Sequence, residues 1–138
     1  MTSRYLAIVL DDESRTKLLK RCNPPLHPSI RAEHITIWTD DLEEYKRHHG
    51  LFRVGDRAME IETVGYFHND RVDCVLVKVN GEVVREDGSH YHVTMSVAEG
   101  AKASESKELI KQAFDSEALV SLFSFSLRGT VQLLYRSS

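Results

Sequence analysis

Two short stretches of the chain alternate apolar and polar residues with a period of two, and both read as half-buried strands. Ala32 to Thr39 (AEHITIWT) puts His34, Thr36 and Trp38 on one face and Ile35 and Ile37 on the other. Tyr91 to Val97 (YHVTMSV) repeats the arrangement, with His92, Thr94 and Ser96 opposite Val93, Met95 and Val97. The apolar sides belong to a core, which leaves the polar sides to face a cleft or solvent.

Other segments fill in around these two. Tyr5 to Leu10 (YLAIVL) is a short apolar strand leading into Asp11, Asp12 and Glu13, residues suited to the start of a helix that runs to about Arg21. Asn23 to Pro28 holds all three prolines of the chain and predicts a stiff loop. Asp40 to His49 is polar and fits a short helix or a loop. Ala58 to Phe67 and Val72 to Val79 predict a hairpin around His68, Asn69, Asp70 and Arg71, closed off by the Asn80-Gly81 turn signal. Glu99 to Ala103 is a loop containing Gly100. Ser104 is placed to cap a helix to about Phe114, with Leu109, Ile110 and Ala113 on one apolar face. Ala118 to Leu127 and Thr130 to Arg136 predict two final strands joined at Arg128-Gly129. The order predicts an α+β fold in one domain over residues 1–138, its sheets covered by two helices.

Composition narrows the function classes. At 138 residues, 41% hydrophobic and 28% charged, the chain has the make-up of a globular domain and not of a disordered or disulfide-stapled one. Its formal net charge of −3 gives no global positive field for long nucleic acid, so DNA is not expected and any RNA contact is local. Cys22 and Cys74 stand far apart with no CxxC pair, the stretch MTSRYLAIVLDD lacks the basic region and apolar core expected of a signal peptide, and no apolar run approaches a membrane span. A reducing, cytoplasmic setting is expected, with structural roles for both cysteines.

The chemistry lies in the two alternating strands. His34-Ile35-Thr36-Ile37 and His92-Val93-Thr94-Met95 are two copies of His-hydrophobic-Thr-hydrophobic, 58 residues apart. The period of two sets each imidazole beside a hydroxyl about 7 Å along the same face. If the two strands meet, two imidazoles flank one phosphorus while Thr36 and Thr94 donate to its non-bridging oxygens. One histidine then takes a proton from the attacking oxygen and the other gives one to the leaving oxygen. A lone histidine on a strand is more often a hydrogen-bonded core residue, but the duplication with its threonine favours chemistry. Trp38 and Tyr91 flank the motifs and are candidates to stack a base at the cleft rim, or equally to pack in the core. Lys102 and Arg31 are the nearest cations in sequence for a flanking phosphate. His90, His68 and the His48-His49 pair have no carboxylate or cysteine at ligand spacing, so no metal site and no cofactor is expected.

The paired motifs resemble those of the 2H phosphoesterase superfamily, named for two such His-x-Thr sequences. The opening RYLAIVLDDESRTKLL and the segment HVTMSVAEGAKASESKELI are similar to the cyclic phosphodiesterase domains of fungal-type RNA ligases and related RNA-repair proteins. The resemblance implies a bilobal, pseudo-symmetric α+β fold with antiparallel sheets around a central cleft and two main helices outside. It implies metal-independent opening of a 2′,3′-cyclic phosphate on an RNA end or small cyclic nucleotide, with a 2′-phosphate left behind. His34 and His92 are then catalytic, His34 as acid and His92 as base, and Thr36 and Thr94 bind the phosphate. Relatives often carry a Lys-Pro pair and an Asn where this chain has Lys102-Ala103 and Lys107. A 2′,5′-phosphodiesterase acting on oligoadenylates and a non-catalytic module that binds RNA ends are the alternatives.

Overall fold

The computed structural model describes residues 2–21, 27–39, 43, 45, 50, 52–56, 60–86, 88–102, 104–115 and 125–137. The first strand, β1 (Thr2–Leu10), buries Leu6, Ile8 and Leu10 in the main core and hands directly to helix α1 (Asp12–Arg21). The hand-over is an N-cap: Asp11 Oδ1 accepts the Ser14 amide at 2.8 Å, a bond that holds the Asp11 carboxyl below its usual range. Asp12 and Glu13 lie in the first turn and Lys20 and Arg21 in the last, matching the helix dipole at both ends, and Leu18 is buried in the core.

Strand β2 (Ser29–Ile30) is short, and β3 (His34–Trp38) starts two residues later than the alternation predicts. Ala32 is the reason: it is fully buried with φ at 57°, a left-handed kink that breaks the extended run. The hairpin follows as β4 (Ile61–His68) and β5 (Val72–Val79). Its turn is organised by Asn69 Oδ1, which accepts the amides of Arg71 and Val72 at 2.8 and 2.9 Å. Asn80 and Gly81, at φ 51° and 85°, form the tight turn after β5. Then come β6 (His92–Val97), α2 (Glu105–Asp115), β7 (Ser126–Leu127) and β8 (Gly129–Ser137). The expected helix or loop at 40–49, and the first part of the strand expected at 118–127, fall mostly outside the described residues.

The strands join one antiparallel sheet in the order β7-β4-β5-β6-β3-β1-β8, with β2 also against β6. The fold class is thus α+β, with a curled sheet. The two final strands are joined at Arg128 as expected, but β7 and β8 are not partners: they stand at opposite ends of this order, although only Arg128 separates them in the chain. The sheet therefore curls far enough for its two ends to meet at one residue. Arg128 is fastened there, its carbonyl accepting the Asp11 amide at 3.0 Å and its amide donating to Ser14 Oγ at 2.7 Å. Gly129 is required by the closeness of that meeting, since a Cβ there would lie 2.5 Å from the Val9 carbonyl oxygen.

A buried polar chain crosses β5 and β6. Ser96 and Tyr66 both donate to the Asp73 carboxylate, Tyr66 at 2.5 Å, and Ser96 Oγ accepts the His27 amide at 3.0 Å. The His27 ring donates through Nε2 to the Asn69 carbonyl at 3.0 Å, so the segment before β2 is tied to the hairpin turn. Arg71, beyond that turn, grips Glu105 at the start of α2 with two bonds of 2.7 and 3.2 Å.

Candidate active site

The two motifs lie on neighbouring central strands. Ile35 of β3 faces Val93 of β6 across the antiparallel ladder, and one residue either side of that pair brings His34 opposite Thr94 and Thr36 opposite His92. Each histidine faces the other motif's threonine, and the two histidines occupy a diagonal of about 7–8 Å, as for any such pair of antiparallel positions. The alternation sorts the faces as expected within the two motifs, whereas Ser96, expected on the polar face with His92 and Thr94, is fully buried against Asp73. Ile35, Ile37, Val93 and Met95 are fully buried, while His34, Thr36, His92 and Thr94 are half-buried and line a single cleft of about 340 Å³.

The other walls come from four segments. Tyr5 reaches in from β1, Arg31 and Glu33 from the approach to β3, Arg85 from the turn before β6, and Lys107 from the first turn of α2. Three cations and one carboxylate make the cleft locally positive in a chain whose net charge is −3, which suits an anionic ligand of small size.

His92 is held in one tautomer. Its Nδ1 lies 2.9 Å from the His90 carbonyl oxygen, which can only accept, so Nδ1 carries the proton and Nε2 presents a lone pair. Burial, then the positive charge of Arg85 and the other imidazoles, pushes the His92 pKa down to about 4, against the opposing pull of the His90 carbonyl. At neutral pH the ring is a neutral acceptor, the state a general base needs. His34 stacks at a tilt on the Tyr5 ring, centroids 5.4 Å apart, which limits how the imidazole can turn. Thr94 Oγ1 pairs with Ser106 Oγ at 2.9 Å, and Ser106 is fully buried in the first turn of α2. That contact sets the depth of α2 against the second motif.

The remaining candidates separate. Arg31 lies on the cleft wall. Tyr91 does not belong to a rim: it is 2% exposed within the core, with no free face for a base. Trp38 packs against Tyr45, ring centroids 5.3 Å apart, and is not among the cleft residues, where Tyr5 is the aromatic side chain instead. Lys102 is exposed on the turn before α2, where its amide is received by Glu105, and the lysine at the cleft is Lys107. His90 has its pKa lowered by burial and serves His92 through its carbonyl. Cys74 is buried and its thiol pushed up to about 12, which makes it inert. Cys22, His48 and His49 lie outside the described residues. Among the described residues no group of three His, Cys, Asp or Glu side chains is placed to hold a metal ion, and no helix is long and apolar enough to cross a membrane.

Sequence reasoning missed Tyr5, Glu33, Arg85 and Ser106. Tyr5 and Ser106 had no signal beyond membership of a strand and a helix, because their roles depend on which elements become neighbours. Arg85 stands seven residues before His92, in a segment that no predicted strand or helix covers.

No protein-family model and no curated protein matches this chain. Among solved structures it is similar to one described as the crystal structure of a fungal RNA kinase, with a TM-score of 0.63 and 14% identity. The match covers 96% of this chain and 45% of that one, so this chain spans less than half the length of its structural neighbour. At that identity the likeness is one of fold.

Proposed function

We propose that this chain is an RNA 2′,3′-cyclic phosphodiesterase of the 2H type. The observation that carries the reading is the diagonal of His34 and His92, with a threonine hydroxyl opposite each, in one positively charged cleft. A cyclic phosphate seated between them has a base on one side and an acid on the other, as in-line displacement requires. Nε2 of His92 accepts a proton from water as the water oxygen bonds to phosphorus. The P–O3′ bond breaks, and His34, entering protonated, gives its proton to O3′, so that a 2′-phosphate and a free 3′-hydroxyl remain. Thr36 and Thr94 donate to the non-bridging oxygens, where negative charge grows. The low pKa of His92 favours it as the base.

The bilobal, pseudo-symmetric arrangement belongs to the same reading, with β3 and β6 as the equivalent strands of two halves. The neighbour's description as an RNA kinase supports an RNA substrate. A kinase reading for these 138 residues has less behind it, since they contain no Gly-x-x-x-x-Gly-Lys-Ser/Thr phosphate loop. The test is hydrolysis of 2′,3′-cyclic AMP and of a short RNA ending in a 2′,3′-cyclic phosphate, with products identified by chromatography. Conversion to the 2′-phosphate is expected. Tight binding of the RNA end without turnover would instead assign a recognition module, and cleavage confined to 2′,5′-linked adenylates would assign the other esterase activity.

A further inference from the structure

We propose that Arg85 is a third phosphate-binding residue of this site, its guanidinium donating to a non-bridging oxygen of the reacting phosphate beside the two threonine hydroxyls. The inference rests on the reading of the cleft as a phosphodiester site and extends it to a residue outside both motifs.

Placement is the first argument. Arg85 is only 5% exposed, yet it belongs to the cleft wall with His34, His92, Thr36 and Thr94. Arg31 lines the same cleft but is an exposed side chain before β3, and Lys107 is exposed on α2. Those two suit flanking phosphates, whereas a buried guanidinium is held in place before substrate arrives.

The second argument is the way the backbone delivers it. Arg85 opens a tight turn in which its amide donates to the Ser89 carbonyl at 2.6 Å and its carbonyl accepts the Gly88 amide at 3.0 Å, with Gly88 at φ 91°. Val84 and His90 bridge below the turn, and Tyr91 anchors its base, its amide donating to Val83 at 2.9 Å and its ring buried in the core. The residue after this bridge pair's partner leads straight into His92, and the His90 carbonyl fixes the His92 tautomer. One short hairpin thus supplies both the orientation of the base and a fixed cation next to it.

The third argument is chemical. Two hydroxyls are neutral donors, but the phosphorane-like state carries more negative charge on its non-bridging oxygens than the bound diester does. A guanidinium in a low-dielectric pocket offers charge and paired N–H groups to those oxygens. The same positive charge helps keep His92 unprotonated until it takes the proton from water.

The experiment compares wild type, Arg85→Gln and Arg85→Lys with Lys78→Gln, an exposed substitution on β5 away from the cleft. Turnover of 2′,3′-cyclic AMP is measured from pH 4 to 9, binding of 2′-AMP by calorimetry, and folding by thermal melting. R85Q is expected to lose about 10²- to 10³-fold in kcat/KM, the usual cost of one preorganised donor at a developing oxyanion. R85K should fall between it and wild type, since it keeps the charge and loses the fork. The acid limb of the R85Q profile should move to higher pH, because the positive groups facing His92 are Arg85, His34 and His90, and only the first is removed. R85K, with the charge retained, keeps the proposal testable if R85Q does not fold. Near wild-type kcat/KM and 2′-AMP affinity in a folded R85Q or R85K overturns the role of Arg85 and leaves the phosphodiesterase reading standing. A wild type that binds 2′-AMP through Arg85 but hydrolyses nothing overturns the phosphodiesterase reading and supports the Arg85 site. A wild type that neither binds nor hydrolyses overturns both.

Discussion

His34 of β3 stands directly across the sheet from Thr94 of β6, in the register fixed by Ile35 against Val93. Each motif is therefore incomplete on its own strand. The cleft proposed to hold the phosphate has both motifs on its wall only because the two strands pair, and four substitutions read out that pairing.

His34→Ala and His92→Ala are each expected to lower turnover by about 10²- to 10⁴-fold, the contribution of a positioned acid or base. Thr36→Ala or Thr94→Ala should cost less, about 1.5 to 3 kcal/mol in transition-state binding, as for one hydrogen bond to a charged group. The double histidine variant should be little worse than either single one, because acid and base act as a unit. Single-turnover kinetics on 2′,3′-cyclic AMP checks this. Two histidine variants that keep wild-type rates but melt earlier would mark the pair as structural.

The pH–rate profile should be bell-shaped. In the free protein the acid limb follows His92, at about 4 instead of the usual 6.5, and the alkaline limb follows loss of the acid's proton. A bound phosphate anion favours imidazolium, so the acid limb of kcat should lie above that of kcat/KM. A profile flat between pH 4 and 9 under chemistry-limited conditions counts against two acting histidines.

His92 also predicts how stability responds to acid. Its folded pKa is depressed, so between about 6.5 and 4 the unfolded chain binds a proton that the folded chain does not. Its contribution is complete above 6.5 and is lost as the pH falls toward 4, and His90 adds in the same direction. Melting temperatures across that window should fall more steeply for wild type than for His92→Asn. Equal slopes would show that the ring protonates freely in the native state.

Turnover should persist in excess EDTA, since the residues proposed as acid, base and oxyanion donors are all side chains of this cleft. Loss of activity in chelator with recovery on added zinc would require a different mechanism.

Asp73 is fully buried and accepts from both Tyr66 and Ser96. Asp73→Ala should cost about 2 to 4 kcal/mol in urea unfolding, because it strands two donors, while Tyr66→Phe should cost about 1. A loss below 1 kcal/mol for Asp73→Ala would mean that water replaces the carboxylate.

Much of the site was legible because β-strand chemistry is local. The alternation in HITI and HVTM, read at a period of two, already separated Ile35 and Val93 from the histidines, and strand β5, buried along almost its whole length, was legible to the residue as an apolar run. What escaped depended on neighbours that sequence spacing does not fix. Tyr91 was open between the cleft rim and the core, and the strand parity it shares with Val93 and Met95 turns it into the core. Arg85 reaches the cleft through a tight turn that no strand or helix pattern announces. That the last two strands are joined at Arg128 was legible, but not their partners: adjacent strands usually pair, yet Ser126–Leu127 lies against β4 and Gly129–Ser137 against β1.

The meeting of those two ends at Arg128 also bears on how copies of this protein behave beside one another. An open sheet offers two rows of unpaired amides and carbonyls, each a template on which another chain can add a strand and begin aggregation. Here one terminal strand, β7, is two residues long, and it is joined to the other by a single residue whose own amide and carbonyl are taken by Ser14 and Asp11. On β8 the outward amide and carbonyl of Val131 are occupied by Asp56 and Gly55, at 2.9 and 2.8 Å. The curl that brings the motifs to a common cleft thus also shortens one end of the sheet to two residues and covers the other at Val131, where an incoming strand would have to pair.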